Sequence, residues 1–222
     1  MKSLLLLLFL SPLSVLAAAA PNEEATSTPS PLKTIALTFD DGPYGTSTQE
    51  VLSILKHENI HATFFLIGKN VSEFPQETRR IVADGNTIGN HTYTHTRLST
   101  LTTVKAQNDI ARAERELVFV TGVRTHLFRP PYGILPTALK NELKKEGYRI
   151  KMWNDDPSDW NGASSTSQLI VSRTLAQEKD HIVLILHDGR DTKVNYPRDN
   201  MLHALPIIIR DLKKQGYTFV TL

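Results

Sequence analysis

Seven short apolar runs alternate with helical stretches between Lys33 and Leu222, and that rhythm limits the fold more than any single residue does. The runs are Ile35–Phe39, Ala62–Ile67, Thr87–Asn90, His126–Arg129, Tyr148–Trp153, His181–Leu186 and Tyr217–Leu222. Rich in β-branched and aromatic residues, and bounded by Gly, Pro and Asp, they read as strands. The sixth is almost wholly aliphatic, as befits a strand buried on both faces. Between them, apolar residues at helical spacing predict helices from a cap at Ser47 or Thr48 to Lys56, then over Ser72–Ala83, Thr102–Val118, Pro136–Lys145, Ser167–Gln177 and Met201–Gln215. Strands alternating with helices imply βαβ units and a parallel sheet. So many units in so short a chain predict an α/β fold with one closed or nearly closed barrel, smaller than the usual (β/α)8 form. The alternative is an open doubly wound sheet, but the chain has neither a dinucleotide-binding glycine fingerprint nor a P-loop.

The unusual polar residues fall where these strands end. Asp40-Asp41 follows the first strand, His91 and His95 the third, Arg129 the fourth, Asp156 and Asp159 the fifth, and His187-Asp188 the sixth. A barrel gathers its strand ends on one face, so five places in the sequence are expected to form one site. Asp40 and Asp41 are neighbours on a strand, so they should aim differently and do different work. His91 and His95 are four apart, a spacing that puts both imidazoles on one side of a helical turn. With Asp41 they make the two-histidine, one-carboxylate set of a catalytic Zn²⁺ that keeps a position open for water.

With Asp41 committed to the metal, Asp40 is free to act as general base on water. Arg129 is expected to hold Asp40 or Asp159 bidentately. Pro130 and Pro131 have no N–H, so the first backbone donor after them belongs to Tyr132, suited to an oxyanion. His187, with a nearby carboxylate to fix its tautomer, is placed to protonate a leaving group. Trp160 and Leu186 can wall a small methyl group or a sugar ring, or equally belong to the core. His57, His61, His126, His181 and His203 sit in helices or at strand starts and are expected to be structural.

The N-terminal residues read as an export signal. Met1-Lys2 is a positive start, Leu4 to Leu10 an apolar core broken by Ser11-Pro12, and Ala17–Ala20 offers cleavage sites. We therefore expect a signal peptide over 1–20, a flexible linker over 21–32 and a catalytic domain over 33–222; an uncleaved anchor is the alternative. The mature protein would be secreted, periplasmic or cell-wall associated. The chain has no cysteine, which excludes disulfides, thiolate ligands and a Cys nucleophile. A net charge of +2 without long basic runs does not suit nucleic acid. No obligatory protein partner is implied, and a monomer is expected. Asn70-Val71-Ser72 and Asn90-His91-Thr92 fit the glycosylation pattern, but a glycan on Asn90 would crowd His91.

Taken together, Thr38-Phe39-Asp40-Asp41, His91-Thr92-Tyr93-Thr94-His95, Arg129-Pro130-Pro131-Tyr132-Gly133, Asp156-Pro157-Ser158-Asp159-Trp160 and Leu184-Ile185-Leu186-His187 resemble the five motifs, in order, of the polysaccharide deacetylases of carbohydrate esterase family 4. The resemblance runs from about Lys33 to Leu222. It implies a distorted (β/α)7 barrel with its active site at the C-terminal ends of the strands. It assigns Asp40 as base, His187 as acid, and Asp41, His91 and His95 as ligands of Zn²⁺, Co²⁺ or another divalent ion. Tyr132 would give its N–H to the oxyanion, Arg129 and Asp159 would form a supporting pair, and Trp160 and Leu186 would line the acetyl pocket. The implied substrate is an acetylated polysaccharide or oligosaccharide: N-acetylglucosamine polymers of peptidoglycan or chitin type, or alternatively acetylated xylan. A carbohydrate-binding protein without catalysis is a third reading, against which stands the presence of both Asp40 and His187.

Overall fold

The computed structural model describes residues 32–176, 179–189 and 198–222. The expected signal peptide and all but the last residue of the expected linker lie outside these. Strand β1 (Thr34–Asp40) is the axis of the sheet. It alternates cleanly: Ile35, Leu37 and Phe39 belong to the main apolar core, whereas Thr38 and Asp40 are buried among polar partners. β1 pairs in parallel with β2 (Thr63–Leu66) through Thr38–Asp40, and with β6 (His181–His187) along its whole length. The sheet continues from β2 through β3 (Thr87–Asn90) and β4 (Leu127–Phe128) to β5 (Arg149–Ile150). The short β7 (Thr218–Phe219) pairs with Thr34 and Ile35 at the start of β1. Among the described residues every strand pairing is parallel.

The far edges of this curled sheet meet. Beyond β5, Asp155 forms a parallel bridge with Leu184 of β6, Asn154 N–H donates to Val183 O at 3.1 Å, and Ile185 N–H donates to Asp155 O at 3.0 Å. The result is a distorted (β/α)7 barrel. Strands four and five are shorter than expected, two residues each. Pro130 and Pro131 end the first ladder because they have no N–H to donate.

The helices α1 (Gly45–His57), α2 (Gly68–Glu73), α3 (Pro75–Ala83), α4 (Thr103–Thr121), α5 (Thr137–Lys145), α6 (Ser167–Leu175) and α7 (Asp199–Lys214) lie between the strands in sequence. The single helix expected over Ser72–Ala83 is two, broken at Phe74 (φ −122°, ψ 60°), since the residue before a proline avoids the helical region. Neither Ser47 nor Thr48 caps α1, which starts at Gly45. Instead the Thr48 hydroxyl accepts from Tyr44 N–H at 2.8 Å. The main core packs Leu37, Phe64, Leu184 and Leu186 of the strands against Leu205 and Ile209 of α7. A smaller core gathers Phe128 with residues of α4 and α5. Among the described residues no helix is long and apolar enough to cross a membrane.

Candidate active site

Asp40, Asp41, His91, His95, Tyr132, Trp160 and His187 line one cavity of about 530 Å³ at the C-terminal ends of the strands. Asp40 and His187 are opposed in the last registered pair of β1 and β6. The two aspartates open on the same cavity, not on opposite faces. Asp41 leaves the strand with φ 70°, which ends the pleat and swings its carboxylate round. That turn is held from behind. Asn70 Nδ2 donates to Asp41 O at 2.8 Å, and the backbone of Gly189 lies so close that a Cβ there would sit 1.8 Å from Asp41 O.

The histidine pair does not lie on a helical turn. It stands in a loop where Thr92 and His95 both adopt left-handed conformations (φ 65° and 54°), and His95 N–H donates to Thr92 Oγ1 at 3.0 Å. Asp109 accepts from Tyr93 N–H and Thr94 N–H at 3.1 and 3.2 Å and fixes the loop. The imidazole centroids are 5.0 Å apart. His91 Nδ1 donates to Arg129 O at 2.7 Å, which directs the lone pair of Nε2 toward the aspartates. Asp41 Oδ1 lies 3.5 Å from His91 Nε2 and 3.1 Å from His95 Nε2, and this oxygen is buried with no hydrogen bond. The potential ligand atoms of the three residues all lie within 4.8 Å of one another, a donor set that fits a divalent cation. Burial alone would raise the Asp41 pKa, but the close approach of His91 and the charges of His95 and His187 hold the carboxyl well below the usual range.

Arg129 pairs with Asp40 and not with Asp159. Its Nη1 donates to Asp40 Oδ1 at 2.7 Å and to Thr38 Oγ1 at 2.8 Å, and its Nε donates to Lys151 O at 3.0 Å. The side chain is fully buried, stacked 4.1 Å from the Phe65 ring centroid. Asp159 serves His187: Oδ1 accepts from Nδ1 and Oδ2 from the backbone N–H, both at 2.8 Å. Burial would lower the His187 pKa, yet the Asp159 charge and hydrogen bond outweigh it and push the imidazole up to about 9. The expected supporting pair is therefore two separate ones, Arg129 with Asp40 and Asp159 with His187.

Leu186 is not a wall of the cavity. It points into the main core with Leu184, and its neighbour Ile185 lines the cavity in its place, because strand side chains alternate. Counting back two from His187 would have found it. Trp153 and Asn161 also line the cavity without having been expected, and so does Arg198, which no motif marks. The Tyr132 ring meets the His95 ring at a tilt, their centroids 4.8 Å apart, and the Arg97 guanidinium lies over the Tyr132 ring, 4.7 Å from its centroid. Trp160 is 47% exposed, its Nε1 donating to Asp156 Oδ2 at 3.4 Å. Both glycosylation patterns are structural: Asn70 and Asn90 are buried, and Asn90 Nδ2 donates to Ile110 O.

The whole arrangement has counterparts. The chain is 38% identical over 192 residues to a peptidoglycan-N-acetylglucosamine deacetylase of Bacillus cereus, covering 85% of this chain and 86% of that one. It spans 38% and 66% of two further bacterial relatives. The crystal structure of the Bc1960 peptidoglycan N-acetylglucosamine deacetylase superposes with a TM-score of 0.81 at 33% identity, over 85% of this chain and 86% of that chain. The Xyl-CE4 domain of a multidomain xylanase from the hindgut metagenome of Trinervitermes trinervoides gives 0.77 at 34%, over 86% and 88%. The sequence model of the polysaccharide deacetylases matches residues 27–150, more than half the chain. With that match, the five strand-end motifs and the barrel in agreement, the chain belongs to the polysaccharide deacetylase family, hydrolases of carbohydrate esterase family 4.

Proposed function

We propose that the chain is a secreted, metal-dependent hydrolase that removes N-acetyl groups from β-1,4-linked N-acetylglucosamine polymers or oligomers of peptidoglycan or chitin type. The observation that carries this reading is the division of the site into three parts. One is a two-histidine, one-aspartate ligand set, the second a carboxylate held by an arginine, and the third an imidazole held by a carboxylate. Asp41, His91 and His95 would hold the ion, zinc by their chemistry. When bound it supplies Lewis acidity and a water of lowered pKa.

Asp40, oriented by Arg129, takes a proton from the water that attacks the acetamide carbonyl. Tyr132 presents its backbone at the point where negative charge develops on the carbonyl oxygen. His187, kept protonated near neutral pH by Asp159, gives its proton to the nitrogen as the C–N bond breaks. The products are acetate and a free amine. Trp160, Trp153 and Ile185 offer an apolar surface to the acetyl methyl and the sugar face. Export through residues 1–20, and a mature chain from the linker onward, belong to the same proposal.

The likeness to a domain of a xylanase supports a second reading, an O-acetyl esterase on xylan with the same residues in the same roles. Acetate release from chitooligosaccharides, peptidoglycan and acetylated xylan, each with zinc and with a chelator, separates the two. Release from the glucosamine polymers, abolished by chelation, is the expected result. Release from xylan alone moves the chain to the esterases, and release from none contradicts both.

A further inference from the structure

Side chains that ligate a metal are normally oriented from outside by a further hydrogen bond. His91 has one, from Nδ1 to Arg129 O, whereas Asp41 Oδ1 is buried with no hydrogen bond. Asp41 also holds φ 70°, a conformation that a non-glycine residue keeps only where its surroundings impose it. The direction of its carboxylate therefore comes from whatever grips its backbone. Asn70 is part of that grip, and the dipeptide Asp188-Gly189, just past β6, is the rest. Asp188 N–H and Gly189 N–H both donate to Asp40 O, at 3.3 and 3.4 Å. The Gly189 backbone lies along the peptide bond that follows Asp41: a Cβ on Gly189 would stand 1.8 Å from Asp41 O, 2.1 Å from Asp41 C and 2.4 Å from Gly42 N. The Asp188 carboxylate covers the same turn, with Oδ1 2.5 Å from the place a Cβ on Gly42 would take. The dipeptide is itself fixed from two helices. From α1, Thr48 Oγ1 donates to Asp188 Oδ2 and Ser47 Oγ to Asp188 O, both at 2.5 Å. From the start of α7, Arg198 Nε donates to Gly189 O at 2.8 Å. Thr48 and Asp188 are wholly buried and Arg198 nearly so, and Thr48 does not line the cavity.

We propose that Thr48 and Arg198 are positioning residues for the metal: by closing the Asp188-Gly189 clamp on the peptide that follows Asp41, they set how tightly Asp41 holds a divalent cation. Two helices that carry no ligand thus bear on the affinity for the ion. With the clamp loosened, Asp41 is free to leave its left-handed conformation. Binding must then restore that geometry, and the cost of doing so appears as lost affinity. The inference rests on the reading of Asp41, His91 and His95 as metal ligands and adds what keeps the first of them in place.

The test is the zinc dissociation constant of the full chain, by competition with a chromophoric chelator, beside denaturant unfolding of each metal-free chain. Thr48→Val keeps the shape of the side chain and removes its hydroxyl. The folded variant should bind zinc about tenfold more weakly, as loss of an outer partner of a metal ligand does, and Thr48→Ser should restore the affinity. Arg198→Gln should weaken zinc binding in the same sense. Gly189→Ala, whose methyl group must displace Asp41 O, should weaken it most. A purely structural role would lower the unfolding midpoint and leave the zinc constant of the folded chain where it was. That result in Thr48→Val overturns the proposal, and so does a Thr48→Ser chain that binds zinc no better than Thr48→Val. The unsubstituted chain gives a check that needs no variant to fold. Clamp and ion favour each other reciprocally, so zinc should slow hydrogen exchange at the Asp188 and Gly189 amides. Exchange there that is indifferent to zinc contradicts the clamp. An unsubstituted chain that takes up no zinc overturns the metal reading and the proposal with it, whereas zinc constants unchanged by the substitutions overturn the proposal alone.

Discussion

The two walls of the barrel are built differently. On one, β1 and β6 run side by side through seven registered pairs, from Thr34↔His181 to Asp40↔His187. On the other, β4 meets β3 at one registered pair and β5 at two. The first wall places the proposed base and acid by backbone ladder, which fixes both Cα positions before any side chain is considered. The second has almost no ladder near the site, and Arg129 does that work with its side chain. From the end of β4 it donates to Lys151 O beyond β5 and to Thr38 Oγ1 and Asp40 Oδ1 on β1, crossing the barrel interior. One wall is stiff because of hydrogen-bonded strands, and the other because a buried charge is satisfied at both ends.

That contrast can be broken most severely at Arg129. Arg129→Leu leaves Asp40 buried without its partner and the β5 extension without its strut. We expect a loss of about 3–5 kcal/mol in denaturant unfolding, enough to leave much of the protein unfolded. If the variant unfolds like the parent, the ladder alone holds the second wall.

The first wall is sharpened by two neighbours that face opposite ways. Leu186→Ala opens a hole in the main core and should cost about 2–5 kcal/mol of stability, with acetate release per folded molecule little changed. Ile185→Ala trims the cavity, where Ile185 is 3% exposed, and should mainly lower kcat/KM, by about tenfold. Finding the larger activity loss in Leu186→Ala would restore it to the acetyl pocket.

The smallest expected change is a displacement on the pH axis. His187 is raised from 6.5 to about 9, first against burial and then by the charge and hydrogen bond of Asp159. As the acid, it works while protonated, so release should decline as pH rises through about 9. Asp159→Asn should bring that decline to lower pH. Stability follows the same sign: the pairing contributes fully below about 6.5 and is lost as pH climbs through about 9. An alkaline limb that does not move in Asp159→Asn would detach His187 from the limb.

What the sequence made legible follows the same division. The strand–helix rhythm and the motifs at strand ends are short-range signals, and they predicted the parallel barrel and the gathering of Asp40, Asp41, His91, His95 and His187. What they could not carry was direction. The turn of Asp41 at φ 70° and the left-handed residues Thr92 and His95 are backbone exceptions that residue type does not announce. The partners of Arg129 and Asp159 depend on which long side chain crosses the interior, a tertiary fact. Leu186 was misplaced although alternation from His187 was there to be counted. Arg198 had no local mark, standing eleven residues beyond His187 and outside every motif.

The central claim is that two adjacent aspartates do separate jobs, Asp40 on a proton and Asp41 on a metal. Zinc content per chain and acetate release from chitooligosaccharides, measured together on the unsubstituted chain, Asp40→Asn and Asp41→Asn, test it most directly. The account predicts that Asp40→Asn keeps the ion but loses release by about 10²–10⁴-fold, the usual worth of a positioned general base, while Asp41→Asn loses both. An Asp40→Asn chain that loses its ion, or an Asp41→Asn chain that keeps full zinc content, would contradict it.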